Sequence, residues 1–231
     1  MRRLLGYERV LIVTAVEVER AAVLAGLGLG DAREDDVETG RPIVVKAAGV
    51  GPASAAAVTA QLLTIAGYLD QWFDAVICTG IAGGFTERVE IGGLALATES
   101  IAADLGASSP DGFHSLDELG FGTSRHAADP TLLRLLRTTL PEAVAGPVLT
   151  VSTVTGTAGE KATVEKRHPD AVAEAMEGFG VATATRRWPG VAFGEIRAIS
   201  NAIGPRDRSA WRIPQALEAI RSAFERLAQA S

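Results

Sequence analysis

Short apolar runs alternate with amphipathic or alanine-rich stretches along most of the chain. Val10 to Thr14 is a β-branched run, which predicts a strand. It passes through Ala15-Val16 into Glu17 to Leu24, whose composition suits a helix. The unit then repeats. Pro42 to Ala48 reads as a strand, Gly49-Val50-Gly51 breaks it, and Ala53 to Ala66 reads as a helix, with Pro52 where a first turn tolerates proline. Phe73 to Thr79 is apolar on both faces, as a central parallel strand requires, and it runs into Gly80-Ile81-Ala82-Gly83-Gly84. Leu94 to Thr98, Pro147 to Ser152 and Val191 to Ser200 predict further strands. Pro130 to Leu140, Gly159 to His168, Met176 to Arg187 and Trp211 to Gln229 predict helices. This alternation predicts an α/β fold of three layers, α/β/α, around a central mixed, mostly parallel twisted sheet. Ligands collect beyond the carboxyl ends of such strands. Asp104 to Arg125 has no periodicity and is long for a connection, which predicts a lid or an interface loop.

Composition narrows the function. A chain of 231 residues, 47% of them hydrophobic, can bury one large core, so a single domain over 1–231 is expected. The 22 basic residues against 28 acidic ones form no basic run that could track a phosphate backbone, so no nucleic-acid partner is expected. No stretch approaches the roughly 20 apolar residues of a membrane span. The opening Met1-Arg2-Arg3-Leu4-Leu5 breaks at Gly6, too soon for a signal segment, and the cytoplasm is the expected compartment. Cys78 is the one cysteine and sits in Ala75-Val76-Ile77-Cys78, which reads as core packing. His114, His126 and His168 lack metal-ligand spacing, and neither HExxH nor a GxSxG elbow occurs. What remains is acid/base chemistry on a bound small molecule.

Three polar clusters fall where strands end. Glu19 lies one turn into the first helix and could activate water. Glu17, two residues away and roughly 200° around the helix, cannot share its face. An acid in a first helical turn also complements the helix dipole, so spacing alone leaves both roles open. Glu177, in Met176-Glu177-Gly178, has an apolar neighbourhood and needs a partner, for which Arg186, Arg187 and Arg197 are candidates. A Glu at a helix start can hold two ribose hydroxyls. An Asn amide, as at Asn201 after the last strand, offers both donor and acceptor to a 6-oxopurine edge. The glycines of 80–84 permit close backbone approach but match neither a phosphate loop nor GxGxxG.

In collinear order, Ala15-Val16-Glu17-Val18-Glu19, Thr79-Gly80-Ile81-Ala82-Gly83-Gly84, Ala175-Met176-Glu177 and Arg197-Ala198-Ile199-Ser200-Asn201 resemble the nucleoside phosphorylase and nucleosidase superfamily. The hydrolytic branch that contains the methylthioadenosine/adenosylhomocysteine nucleosidases is the best match. Within that branch, Asn201 to Arg208 with Trp211-Arg212-Ile213-Pro214, and Asp104-Leu105-Gly106 with Leu116 to Gly122, look like the futalosine hydrolases of the alternative menaquinone pathway. The resemblance implies a nucleoside phosphorylase-like fold and hydrolysis of a purine nucleoside's N-glycosidic bond, releasing hypoxanthine from futalosine. It implies no metal or organic cofactor, and a homodimer or higher homo-oligomer.

By position, Glu19 matches the carboxylate that deprotonates the attacking water, and Arg197 a residue that helps hold that water. Glu177 matches the ribose-binding carboxylate and Met176 the residue packed on the sugar. Gly83, Thr155 and Ser200 complete the implied substrate contacts. Asn201 stands where adenine-specific relatives carry the Asp that protonates the leaving base. An amide cannot be that acid, and it suits hypoxanthine. Ile81 stands where those relatives carry a serine near the water. Phosphorylase relatives place an arginine in the glycine-rich loop, but here Ile77-Cys78-Thr79-Gly80 has none, which favours water over phosphate. The competing readings are a nucleosidase or phosphorylase for inosine, guanosine or methylthioadenosine-type substrates, and a purine-binding protein without turnover. The presence of both Glu19 and Glu177 argues against the last.

Overall fold

The computed structural model describes residues 3–30 and 40–230. Met1, Arg2, 31–39 and Ser231, which belong to the expected domain and to its N-terminal segment, lie outside the described residues. The first strand β1 (Val10–Thr14) leads to helix α1 (Glu17–Leu27), and β2 (Ile43–Ala47) to α2 (Pro52–Tyr68). Both units follow the apolar runs. The long β3 (Ala75–Gly84) carries the apolar run straight through the glycine-rich segment. Then come β4 (Leu94–Ala102), the short β5 (Gly106–Ser109), β6 (Gly112–Ser115) and β7 (Arg125–Ala127), α3 (Pro130–Thr139), β8 (Val144–Thr150) and α4 (Ala158–Arg167). The chain closes with β9 (Ala173–Ala175), α5 (Gly178–Thr185), β10 (Ala192–Ala202) and α6 (Ile213–Gln229).

Strands β2, β1, β3 and β10 pair in parallel in that order. Two layers of helices cover them. On one face α1, α3 and α6 bury Val23, Leu27, Leu132, Leu136, Ile220 and Phe224 against Val10, Ile12, Val45, Ile77 and Ile196 of the sheet. On the other, α2 and α5 bury Leu63, Ala66 and Val181 against Leu11, Val76 and Phe193. The expected three-layer fold is therefore present.

The sheet also does something the apolar pattern does not announce. β10 pairs antiparallel with β4, β4 parallel with β8, β8 parallel with β9, and β9 antiparallel with the last two residues of β3. Five strands thus close a ring on one side of the parallel sheet. Its interior is lined by small residues, Ala82, Ala95, Ala97, Ala173 and Ala175 among them, because so small a ring leaves little room for longer side chains.

The 104–125 segment differs from the expected irregular loop. It contains the β5–β6 hairpin, held by four residue pairs and by Arg167 stacked 4.5 Å over Phe113. The helix expected from Met176 begins only at Gly178. Met176 and Glu177 are therefore the connection between β9 and α5, with Glu177 as its N-cap residue.

Candidate functional site

The carboxyl ends of β1, β3 and β10 converge on Glu19. Helix α1 has Val16 at its N-cap, a side chain that cannot accept a hydrogen bond, so the carboxylate of Glu19 does the capping. Its Oε2 accepts from the backbone N–H of Ala15 at 2.9 Å and of Val16 at 3.1 Å. Its Oε1 crosses to β3 and accepts from Ile81 N at 2.8 Å. Glu19 is 3% exposed, whereas Glu17 is exposed and pairs with Arg20. The two neighbours diverge as the helical period requires. Burial pushes the Glu19 carboxyl above the usual value, and the Ile81 N–H and the nearby Arg197 oppose that shift.

Gly80 lies directly beneath this carboxylate. A Cβ there would stand 2.6 Å from Glu19 Oε1 and 3.1 Å from Arg197 Nη1, so only glycine lets the two groups meet over β3. Ile81 contributes its backbone N–H, a contact independent of its side chain.

Arg197 is 1% exposed and is held on three sides. Nη1 donates to Glu177 Oε2 at 3.1 Å, Nε to Glu195 Oε1 at 2.8 Å, and Nη2 to Cys78 Sγ at 3.2 Å. Of the three arginines considered for Glu177, Arg197 is the partner. The other oxygen of Glu177 accepts from Gly51 N at 3.2 Å, where Gly51 adopts φ +98° just before Pro52 opens α2. The loop after β2 thereby fixes Glu177 from the opposite side. Burial also pushes the Cys78 thiol well up, in keeping with its core position. Glu195, whose second oxygen accepts from Ser100 Oγ, escaped sequence reasoning. The signal was present: Glu195 and Arg197 are opposite charges two apart in an apolar strand, hence on one face.

Asn201 sits beyond a register shift in the β3–β10 pairing, opposite Gly83. The irregularity at Ser200 re-aims the strand end, as bulges beside sites do. Ser200 Oγ lies 2.8 Å from Asn201 Oδ1 and 3.2 Å from the carbonyl of Ala82, and Asn201 Nδ2 donates to the carbonyl of Ala202 at 2.9 Å. Ser200 is buried, so it orients the amide from behind. Asn201, Gly83 and Thr155 share one cavity, also walled by Glu174, Ile203 and Trp211. Glu19 and Arg197 meet over Gly80, three residues before Gly83 on β3, and Glu177 is bound to Arg197, with half-buried Met176 next to Glu177 in the chain. The residues expected from the sequence thus form two adjoining clusters, an acidic one at the strand ends and an amide-lined cavity beyond it.

Three comparisons bear on this arrangement. The family model described as the phosphorylase superfamily matches residues 9–231. The chain is 45% identical over 228 residues to the futalosine hydrolase of Streptomyces coelicolor, covering 94% of each protein. It is also 45% identical over 230 residues to that of Acidothermus cellulolyticus, covering 95% of this chain and 90% of the relative. Among solved structures, a methylthioadenosine/adenosylhomocysteine nucleosidase from Colwellia psychrerythraea, in complex with adenine, superposes with a TM-score of 0.79 at 19% identity. It covers 99% of this chain and 97% of that one. The native futalosine hydrolase of Helicobacter pylori strain 26695 gives 0.79 at 16% identity, over 96% and 97%. At such identities the two structures speak for the fold, and the sequence relatives speak for the family. The chain belongs to the phosphorylase superfamily and, within it, to the family of the futalosine hydrolases.

Proposed function

We propose that this chain hydrolyses the N-glycosidic bond of futalosine, releasing hypoxanthine and dehypoxanthine futalosine in the alternative menaquinone pathway. The observation that carries the activity is 45% identity to futalosine hydrolases over nearly the whole chain. The geometry supports the roles as follows. Glu19, ionised, takes a proton from a water that attacks the anomeric carbon. The bond from that carbon to N9 breaks, and its electron pair leaves with the base. The base takes up a proton from solvent to become hypoxanthine, and Glu19 gives the proton from water back to solvent. Positive charge builds on the ribose in a dissociative transition state, and the carboxylates of Glu19 and Glu177 stabilise it. Glu177, locked by Arg197 and Gly51 N, receives the ribose hydroxyls, and Met176 packs on the sugar. Arg197 acts chiefly by holding Glu177 and standing beside Glu19. The Asn201 amide, set by Ser200 beside Gly83 and Thr155, binds the departing 6-oxopurine.

Incubating the protein with futalosine, inosine and methylthioadenosine and following free base by chromatography tests the substrate. Futalosine should be cleaved in strong preference to the other two. Equal or better cleavage of inosine or methylthioadenosine would remove the assignment. The base-reading role has its own test in Asn201→Asp, which exchanges a donor-acceptor amide for an acceptor. It should slow cleavage of the 6-oxopurine nucleoside by roughly 5- to 150-fold, the equivalent of about 1–3 kcal/mol. It should also raise the relative rate on adenine nucleosides. Unchanged relative rates would refute the role.

We also infer a homodimer or higher homo-oligomer, working as one domain over the chain in the cytoplasm. Exposed Val16 and Val18 at the start of α1 and exposed Val50 beside Gly51 place apolar surface next to the acidic cluster, which supports a partner protomer there. Among the described residues no helix is long and apolar enough to cross a membrane. Sedimentation should give at least twice the mass of 24.0 kDa, and a monomer at working concentration would contradict this.

A further inference from the structure

Two carboxylates line the cavity beyond Asn201, and the reaction above gives neither a task. Asp207 is exposed and spent on Ser209, whose N–H and Oγ both donate to it, whereas Glu174 is buried. It stands in the middle of β9 between two alanines and is 4% exposed. Thr155 supplies both of its partners: the backbone N–H donates to Oε1 at 2.8 Å and Oγ1 to Oε2 at 2.6 Å. Among the described residues no cation pairs with it, although Arg206 lines the same cavity, and the charged groups that act on it most, Asp104 and Glu160, are both acidic. A carboxylate taken out of water without a counter-charge is costly unless donors satisfy it. One donor per oxygen leaves lone pairs on both for something that enters the cavity. Burial holds the Glu174 carboxyl above the usual range, so a donor from a ligand would relieve it.

We propose that Glu174 is a specificity residue that accepts the N1–H of a 6-oxopurine, an inference that rests on reading the substrate as a hypoxanthine nucleoside. A 6-oxopurine presents a carbonyl oxygen beside an N–H donor, whereas a 6-aminopurine presents an amino group beside a bare nitrogen lone pair. An amide such as Asn201 carries donor and acceptor together and can serve either base by turning over. An ionised carboxylate accepts only. It attracts the N1–H of hypoxanthine and repels the N1 lone pair of adenine. Glu174 thus supplies the discrimination that Asn201 alone leaves open, from the same cavity and on the side of Thr155.

Calorimetric titration of the intact protein with hypoxanthine, 1-methylhypoxanthine and adenine tests this. The methylated base keeps O6 and N7 and loses only the N1 donor. Wild-type protein should bind hypoxanthine at least about ten-fold more tightly than either other base, the effect of one unmade hydrogen bond to a charged acceptor. In Glu174→Gln, which keeps the volume and removes the charge, both gaps should narrow about ten-fold. A purely steric rejection of the methyl group would survive this substitution, so unchanged ratios in the variant overturn the proposal. Equal wild-type affinity for hypoxanthine and 1-methylhypoxanthine overturns it without any variant. If futalosine is not a substrate, the function proposed above falls, while these ratios on free bases still decide the role of Glu174.

Discussion

Glu19→Gln is expected to lower kcat for nucleoside hydrolysis by roughly 10²- to 10⁴-fold, the usual contribution of a positioned general base. Three backbone N–H groups converge on the carboxylate from α1 and β3 and fix it without a counter-ion in direct contact. Two carboxylate oxygens offer about four lone-pair sites, so one remains to take the proton from water. An amide keeps the shape and has no basic oxygen. It must also turn its NH₂ toward one of the three donors, which should cost about 1–3 kcal/mol of stability, so melting and rate must be measured together. Hypoxanthine should still bind, because the cavity proposed for the base lies beyond Asn201 and does not include Glu19.

The same residue sets a pH dependence. The working form is ionised, and burial raises the pKa, so kcat/KM for the free enzyme should fall as pH drops through a value above the 4.5 of an ordinary glutamate. That acid limb should vanish from the residual activity of the variant. Wild-type turnover by Glu19→Gln would end the mechanism.

Replacing Arg197 by Met should be the most destabilising change at the site, by about 3–5 kcal/mol, the range seen when one partner of a buried ion pair is removed. Arg197 is the shared cation of Glu177 and Glu195, all three nearly fully buried. Its loss strands two carboxylates under the sheet edge. Whole domains are stable by only about 5–15 kcal/mol, so low soluble yield and a large fall in the urea midpoint are expected. Lysine at 197 keeps the charge yet cannot reach Glu177, Glu195 and Cys78 at once from one ammonium, so it should fall between Met and wild type. A midpoint for Arg197→Met indistinguishable from wild type would show that the pair contributes nothing to the folded state.

The parallel part of the sheet was legible because β1 and the first half of β3 are continuous apolar runs, the pattern that burial on both faces produces, and β10 is apolar up to Ile199 apart from Glu195 and Arg197. The ring was not, because its closure depends on β9, three residues whose central one is Glu174, and on a pairing between distant strand ends. No local period encodes either. The β5–β6 hairpin is also silent in the sequence: β5 is exposed along its whole length, so no alternation of apolar and polar positions marks it. At the site, the strand-end positions of Glu19, Glu177 and Asn201 could be read, and so could the need of Glu177 for an arginine. Glu195, Glu174 and the Gly51 N–H were not foreseen as parts of it. They act through contacts spanning up to 126 residues of chain, and each looks alone like an ordinary acid or turn.

Water, and not phosphate, is expected to cleave the bond. Hypoxanthine release from futalosine by the purified protein should be measured in phosphate-free buffer and again with added phosphate, with the sugar product identified. The predicted result is stoichiometric hypoxanthine and a free sugar at the same rate in both buffers. Release that requires phosphate and yields a sugar 1-phosphate, or no release at all, would contradict it.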